Sequence, residues 1–250
     1  MRKLLFLFVV FLFGFVVYSM DKNENSTDPL LEGILDEFVV RGRPGVPIGG
    51  VRWATRNVDT PGTFAQYPEH IGMFYQWNRR QGKMPICNNW DNSWPGRAWL
   101  VANDPCPDGW RVPTMTELYS LRNAPSVWYN RNGVNGRLFG TYPYQIFLPA
   151  GGYRHEYNGR RINPQEWGFY WSRTPADFTN SPNRRDVLNE WNIDIHDRRP
   201  VIESLGRARR RFPANPNFRP AAFLWIQPEG RSRVYYHHPA TGMSIRCVAI

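Results

Sequence analysis

The chain predicts an α+β domain of short, twisted antiparallel strands, with one or two short helices and long loops. Two compositional facts and one motif carry that expectation. Twenty-one Gly and twenty-two Pro in 250 residues interrupt the chain too often for long helices. Aromatic residues reach 15%, eleven of them Trp, and gather in short runs such as Phe169-Tyr170-Trp171 that read as strand. The motif is the stretch Asp104–Arg122. Pro105, Pro107 and Gly109 prevent regular structure up to Trp110, and Pro113 holds Val112 extended. Thr114 and Glu117 then stand at capping-box spacing, so each side chain can satisfy a backbone N–H of the other. Met115, Leu118 and Leu121 recur at helical spacing, and Pro125 bounds the helix.

Residues 1–19 read as a signal peptide. Arg2 and Lys3 precede the apolar run Leu4–Tyr18, and Val17 and Ser19 are small enough for cleavage before Met20. As a helix that run spans about 22 Å, short of the ~30 Å hydrocarbon core. An uncleaved N-terminal anchor is the alternative, and the only contact with a membrane expected. Residues 20–47 form a polar segment, a short helix and a linker. Asp28 caps the helix, Pro29 suits its first position, and Leu31, Ile34, Leu35 and Phe38 share a face. Arg41–Gly50, with four Gly and two Pro, is the linker.

The domain proper covers 48–250. Val51–Val58 reads as its first strand, with Trp53 in the core. Phe64–Asn78 predicts a short helix or turn, and Gln81–Arg97 a loop holding Trp90 and Trp94. Asn132–Gly140 reads as a turn followed by a short strand at Arg137–Phe139. Ile146–Leu148, Tyr153 and Gly168–Ser172 follow as strands, and Phe223–Ile226, Val234–His237 and Met243–Ala249 close the domain. Trp53, Trp110, Trp171 and Trp225 are assigned to the core. Trp90, Trp94, Trp128 and Trp167 are assigned to loops. Residues 173–220 are a long loop region rich in Pro, Arg and Asn.

The formal charge is +10, and +8 once Arg2 and Lys3 leave with the leader. Only three lysines contribute. Guanidinium favours planar bidentate contacts and stacking over simple charge. A nucleic-acid partner is one use of such charge, but an exported address argues against it and none is expected. Three cysteines, Cys87, Cys106 and Cys247, permit one disulfide and leave one thiol. Sequence leaves the connectivity open between Cys106–Cys247 and Cys87–Cys106.

Seven ordered blocks carry a family resemblance: residues 50–58, 61–79, 103–121, 132–140, 146–154, 168–174 and 242–248. In them the chain resembles the Fibrobacter succinogenes major paralogous domain, a family of exported bacterial proteins. The block WRVPTMTEL is also similar to formylglycine-generating-enzyme-like domains. The resemblance implies a C-type-lectin-like fold and an exported address, without a common reaction to carry over. It also favours the Cys106–Cys247 pairing, because such folds staple an early segment to the last strand. Relatives that are lipoproteins need a cysteine after the cleavage site, whereas Met20 stands here. The formylglycine branch needs paired cysteines near the C-terminus, where this chain has only Cys247.

In a C-type-lectin-like fold the stretch 173–220 occupies the place of the ligand-holding long loop region. Trp191 would stack on an apolar sugar face, while Asn192, Asp194, Arg209, Arg210 and Arg211 would bond hydroxyls or carboxylates. A lectin-type calcium site needs a Pro-centred tripeptide and a Trp-Asn-Asp segment. Gln227-Pro228-Glu229 and Trp191-Asn192-Ile193-Asp194 match these loosely, in reversed order. No cofactor is therefore expected, with calcium a lesser alternative. No catalytic residue is assigned. Glu156, Glu166 and Asp177 lie near the aromatic strand, but paired carboxylates cannot be recognised without distances. His70, His155, His196, His237 and His238 are scattered, and His237 and His238 would point to opposite faces of a strand.

The expectation is an exported, non-catalytic recognition or adhesion module, at the cell surface, in the periplasm or secreted. Its partner would be a glycan or a cell-surface protein, with a fimbria-associated role included. A polysaccharide- or peptidoglycan-acting enzyme and a structural envelope protein without a small ligand are the alternatives.

Overall fold

Thr114 starts the one α-helix among the described residues, α1 (Met115–Asn123), with both halves of the capping box made. The Glu117 N–H donates to Thr114 Oγ1 at 3.3 Å, and the Thr114 N–H donates to Glu117 Oε2 at 2.7 Å. Arg111 adds a two-pronged contact to the same carboxylate, at 2.8 and 2.6 Å. Just upstream, Asp104 accepts the N–H groups of Cys106 and Val112 and clamps the Pro-rich turn. The corner is a set of local polar bonds that a short stretch of chain can satisfy by itself.

A computed structural model describes residues 45–84, 90, 91, 93, 95–175 and 220–250. Among these residues fifteen strands accompany the helix. The early ones are β1 (Val46–Ile48), β2 (Val51–Trp53), β3 (Phe74–Gln76), β4 (Gly82–Lys83) and β5 (Trp110–Arg111). After α1 come β6 (Ser126–Arg131), β7 (Val134–Thr141), β8 (Tyr144–Pro149), β9 (Tyr153–Arg154) and β10 (Arg161–Ile162). The last are β11 (Gly168–Pro175), β12 (Ala221–Ile226), β13 (Arg233–His237), β14 (Gly242–Met243) and β15 (Val248–Ala249). They form four small sheets, ordered β1-β2-β15-β5, β10-β9-β14-β3-β4, β11-β12-β13 and β6-β7-β8. The α+β class holds, with strand far outweighing helix. None of the described helices is long and apolar enough to cross a membrane.

The sheet β11-β12-β13 divides the core. One face carries Tyr170, Leu224, Ile226, Val234 and Tyr236, buried with Met115, Leu118 and Leu121 of α1. The other carries Phe169, Trp171 and Phe223, buried with Trp77, Trp99, Ile245, Cys106 and Cys247. Strand alternation sorts these residues, since neighbours along a strand point to opposite faces. Cys106 and Cys247 are bonded to each other, their Cα atoms 6.1 Å apart. That excludes the Cys87–Cys106 pairing; Cys87 itself lies outside the described residues.

Several elements depart from the sequence reading. The linker assigned to Arg41–Gly50 includes strand β1, paired antiparallel with β2. The first strand ends at Trp53 rather than Val58, because the chain there turns its N–H groups to the C-terminal segment: Ala54 to Cys247 O and Val58 to Ile245 O. Within Phe64–Asn78 the regular element is strand β3. Strand β6 was not expected, and the turn before β7 is confined to Asn132 and Gly133, both at positive φ. Gly136 sits in the ladder, not in a turn: a Cβ there would lie 2.5 Å from the Phe147 ring. The expected strand Met243–Ala249 is split into β14 and β15, which join different sheets.

Glu117 yields a pH prediction. Burial alone would raise its carboxyl, but bonds from Arg111 and Thr114 hold it below the ordinary value. A depressed folded value means stability present above the ordinary carboxylate range and lost as pH falls through the folded value. Glu117→Gln should lower stability by about 1–2 kcal/mol at neutral pH. Denaturant titrations from pH 7 to pH 2 should show the gap from wild type closing on acidification. A gap constant with pH would show that the carboxylate charge contributes nothing.

Candidate functional site

The second face of β11-β12-β13 is built from aromatic residues at every other position. Phe169 and Trp171 on β11 stand opposite Trp225 and Phe223 on β12. Tyr235 and His237 on β13 stand opposite Phe223 and Ala221. Period-2 alternation puts these side chains on one surface. Phe169, Trp171 and Phe223 are buried, whereas Trp225, Tyr235 and His237 remain half-buried. Trp167, at the foot of β11, and Tyr153 of β9 extend the surface on either side, and both are half-buried.

The rings are packed as a platform. Phe169 and Trp225 lie 9° from parallel at 6.3 Å, and Phe169 and Phe223 stack at 5.6 Å. Trp167 meets Trp225 edge-on at 5.2 Å, and Tyr235 tilts against Trp225 at 5.8 Å. Tyr153 packs 4.8 Å from Phe169 and 5.9 Å from His237. Each ring thus packs against its neighbour, which gives an apolar aromatic surface with polar tips.

Polar groups border this platform on two sides. Exposed Arg233 donates from Nη1 to the Tyr235 hydroxyl at 3.0 Å. At the other edge, His237 Nδ1 lies 2.8 Å from Thr241 Oγ1, and Thr241 donates to Glu156 Oε2 at 3.5 Å. His155 Nδ1 lies 3.8 Å from the same carboxylate oxygen. Thr241 is fully buried, so its hydroxyl orients the imidazole and is closed to attack on a substrate. The surface can stack on a flat ligand face and offer hydrogen bonds at its rim.

The residues singled out from sequence are distributed unevenly. Trp191, Asn192, Asp194, Arg209, Arg210, Arg211, Asp177, His196 and Trp94 lie outside the described residues. Trp53 and Trp171 are core, as expected, but Trp110 and Trp225 are only partly buried. Trp225 lies on the aromatic face, where its strand partner Arg233 is exposed and leaves one side uncovered. Trp128 lies in β6, not in a loop. Glu156 is buried beside Thr241, while Glu166 accepts from Asn163 on the surface. His237 bonds Thr241, and His238 accepts the Ala240 N–H within the turn. The platform was missed as a unit, although its signal is visible as aromatic residues two apart at 167, 169 and 171, at 223 and 225, and at 235 and 237.

The Gln227-Pro228-Glu229 segment already faces a cation. Buried Arg137 donates from Nη2 to the carbonyl oxygens of Gln227 at 2.7 Å and Gly230 at 2.8 Å. Among the described residues no three or more His, Cys, Asp or Glu side chains gather as a metal-binding group.

What fold and site define together is a disulfide-stapled, sheet-rich α+β domain that presents an aromatic sheet face. The chain matches no protein-family model, and neither a curated protein nor a solved structure is significantly similar to it.

Proposed function

We propose that this protein is an exported, non-catalytic recognition module of C-type-lectin-like architecture, of the Fibrobacter succinogenes major paralogous type, whose aromatic sheet face holds a glycan. The observation that carries this reading is the row Trp167, Trp225 and Tyr235, half-buried side by side along the aromatic face. Flat aromatic faces stack on the apolar face of a sugar ring, and the rim groups of Arg233, Tyr235 and His237 supply hydrogen bonds to its hydroxyls. Residues 176–219 link β11 to β12, the two strands that carry most of the platform. Trp191, Asn192, Asp194 and Arg209–Arg211, which lie in that link outside the described residues, are proposed as further ligand contacts.

A glycan and polysaccharide array on the full chain, with and without calcium, tests the reading. Binding to a defined class should weaken at least tenfold, about 1.4 kcal/mol, in Tyr235→Ala and in Trp225→Leu. Trp191→Ala and neutralisation of Arg209–Arg211 should weaken it further. An array with no bound glycan, or binding unchanged by the platform variants, would defeat the proposal.

A further inference from the structure

A polar hollow shares no lining residue with the aromatic face. It encloses about 420 Å³ between the β3-β4 hairpin and the segment around Asp91 and Asn103. That volume falls within the roughly 300–1,000 Å³ of small-molecule pockets. Its lining is mostly polar, and three of its four charges are positive: Arg79, Arg80 and Lys83 against Asp91.

The charges divide into committed and uncommitted groups. Arg79 is spent on structure, with Nη1 on Asp91 Oδ2 at 2.8 Å and Nη2 on Ser93 Oγ at 2.6 Å. Arg80 is exposed and uses one nitrogen, Nη1, on the Asp104 carbonyl at 2.6 Å. The rest of its guanidinium makes no hydrogen bond among the described residues. Lys83 makes no hydrogen bond among them either, and acts on Asp91 only through its charge. Both cations therefore face the hollow with donors to give.

Acceptors stand among these donors. Buried Gln76 donates its Nε2 to the carbonyls of Asp91 and Ala240, which leaves its amide oxygen to accept. Asp91 is held ionised by Ser93, with Arg79 and Lys83 adding to it, so it too accepts. Sulfate carries no hydrogen for these acceptors. A ligand with one carboxylate and adjacent hydroxyls satisfies both sets, because a guanidinium fork matches a planar carboxylate.

From this geometry we infer that the hollow at Gln76, Arg80, Lys83 and Asp91 is a binding site for an acidic sugar, its carboxylate on Arg80 and Lys83 and its hydroxyls on Gln76 and Asp91. The site shares no residue with the aromatic face, so the inference does not rest on the reading of that face.

Saturation-transfer NMR on the full chain, with sodium glucuronate as probe and glucose and sulfate as controls, decides it. Glucuronate should show saturation transfer and glucose none at the same concentration. Lys83→Met, which breaks no hydrogen bond, and Arg80→Gln should each weaken glucuronate at least threefold, and the pair at least tenfold. Trp225→Leu should leave glucuronate binding unchanged, so that failure at the platform and failure here are separable. No transfer to glucuronate, equal transfer to glucose, or displacement by equimolar sulfate would each overturn the assignment. So would a double variant that binds like wild type.

Discussion

Replacing both Cys106 and Cys247 by alanine should remove about 4–5 kcal/mol of stability. The bond closes a loop with a sequence separation of 141 residues. In the chain-entropy account a cross-link stabilises by restricting the unfolded chain, and a loop of that size is worth about 4.7 kcal/mol or slightly more. Both cysteines are buried in the second core cluster, between Trp77, Trp171 and Ile245. The chain-entropy loss falls on the unfolded state, and the two buried sulfur atoms removed add a small packing loss in the folded one. Chemical denaturation of wild type and variant, without reductant, measures it directly. A loss under about 1 kcal/mol would mean that the unfolded chain is already restricted at this loop. Burial also shields the bond, so reductant should act on the unfolded protein much faster than on the native one.

Arg246→Met should cost about 3–5 kcal/mol, although it keeps much of the side chain's volume. Arg246 is 1% exposed and lies in the last segment of the chain. Its Nε and Nη2 donate to Asn57 Oδ1 at 3.0 and 2.8 Å. Nη1 donates to the Ala54 carbonyl at 3.1 Å and Nη2 to the Phe147 carbonyl at 2.9 Å. Asn57 is held in turn by its bond to the Ile71 carbonyl at 2.9 Å. One guanidinium thus ties the C-terminal segment to the stretch after β2 and to β8. Methionine would strand three buried acceptors, each worth about 1–3 kcal/mol when left unsatisfied. Breaking a buried charged network by removing one partner costs about as much in total. Arg246→Lys should rescue little, because an ammonium cannot reach this fork of acceptors. Denaturation midpoints of both variants provide the check, and a loss below about 1 kcal/mol for methionine would refute the account.

Two core tyrosines are also shifted by burial, one of them beside Arg246. Burial pushes the hydroxyls of Tyr170 and Tyr236 well above their ordinary range, and Arg246 pulls back only on Tyr170. These hydroxyls stay protonated and donate, Tyr170 to the Pro149 carbonyl at 2.6 Å. Polar side chains inside this core are therefore spent on fastening strands to one another.

What the sequence determined by itself was local chemistry. Thr114 and Glu117 form their capping box because both partners lie within one helical turn, so spacing alone brings them together. The turn at Asn132-Gly133 and the run Gly168–Ser172 were legible for the same reason. Even there, local reading misjudged Gly136, whose lack of a side chain serves the Phe147 ring across the ladder rather than a turn.

What only the tertiary structure decided was adjacency. Nothing within the run at 169–171 says that Phe223 and Trp225 will lie beside it, or Tyr235 beyond them, since strand pairing across fifty residues depends on how buried surfaces fit. Arg246 reads as one more arginine in a basic chain until two distant segments close around it. Arg80 and Lys83 look like ordinary surface charges until the β3-β4 hairpin sets them across from Asp91. Local signals act through a few bonds of chain, whereas the platform, the buried guanidinium and the hollow exist only where remote segments are packed side by side.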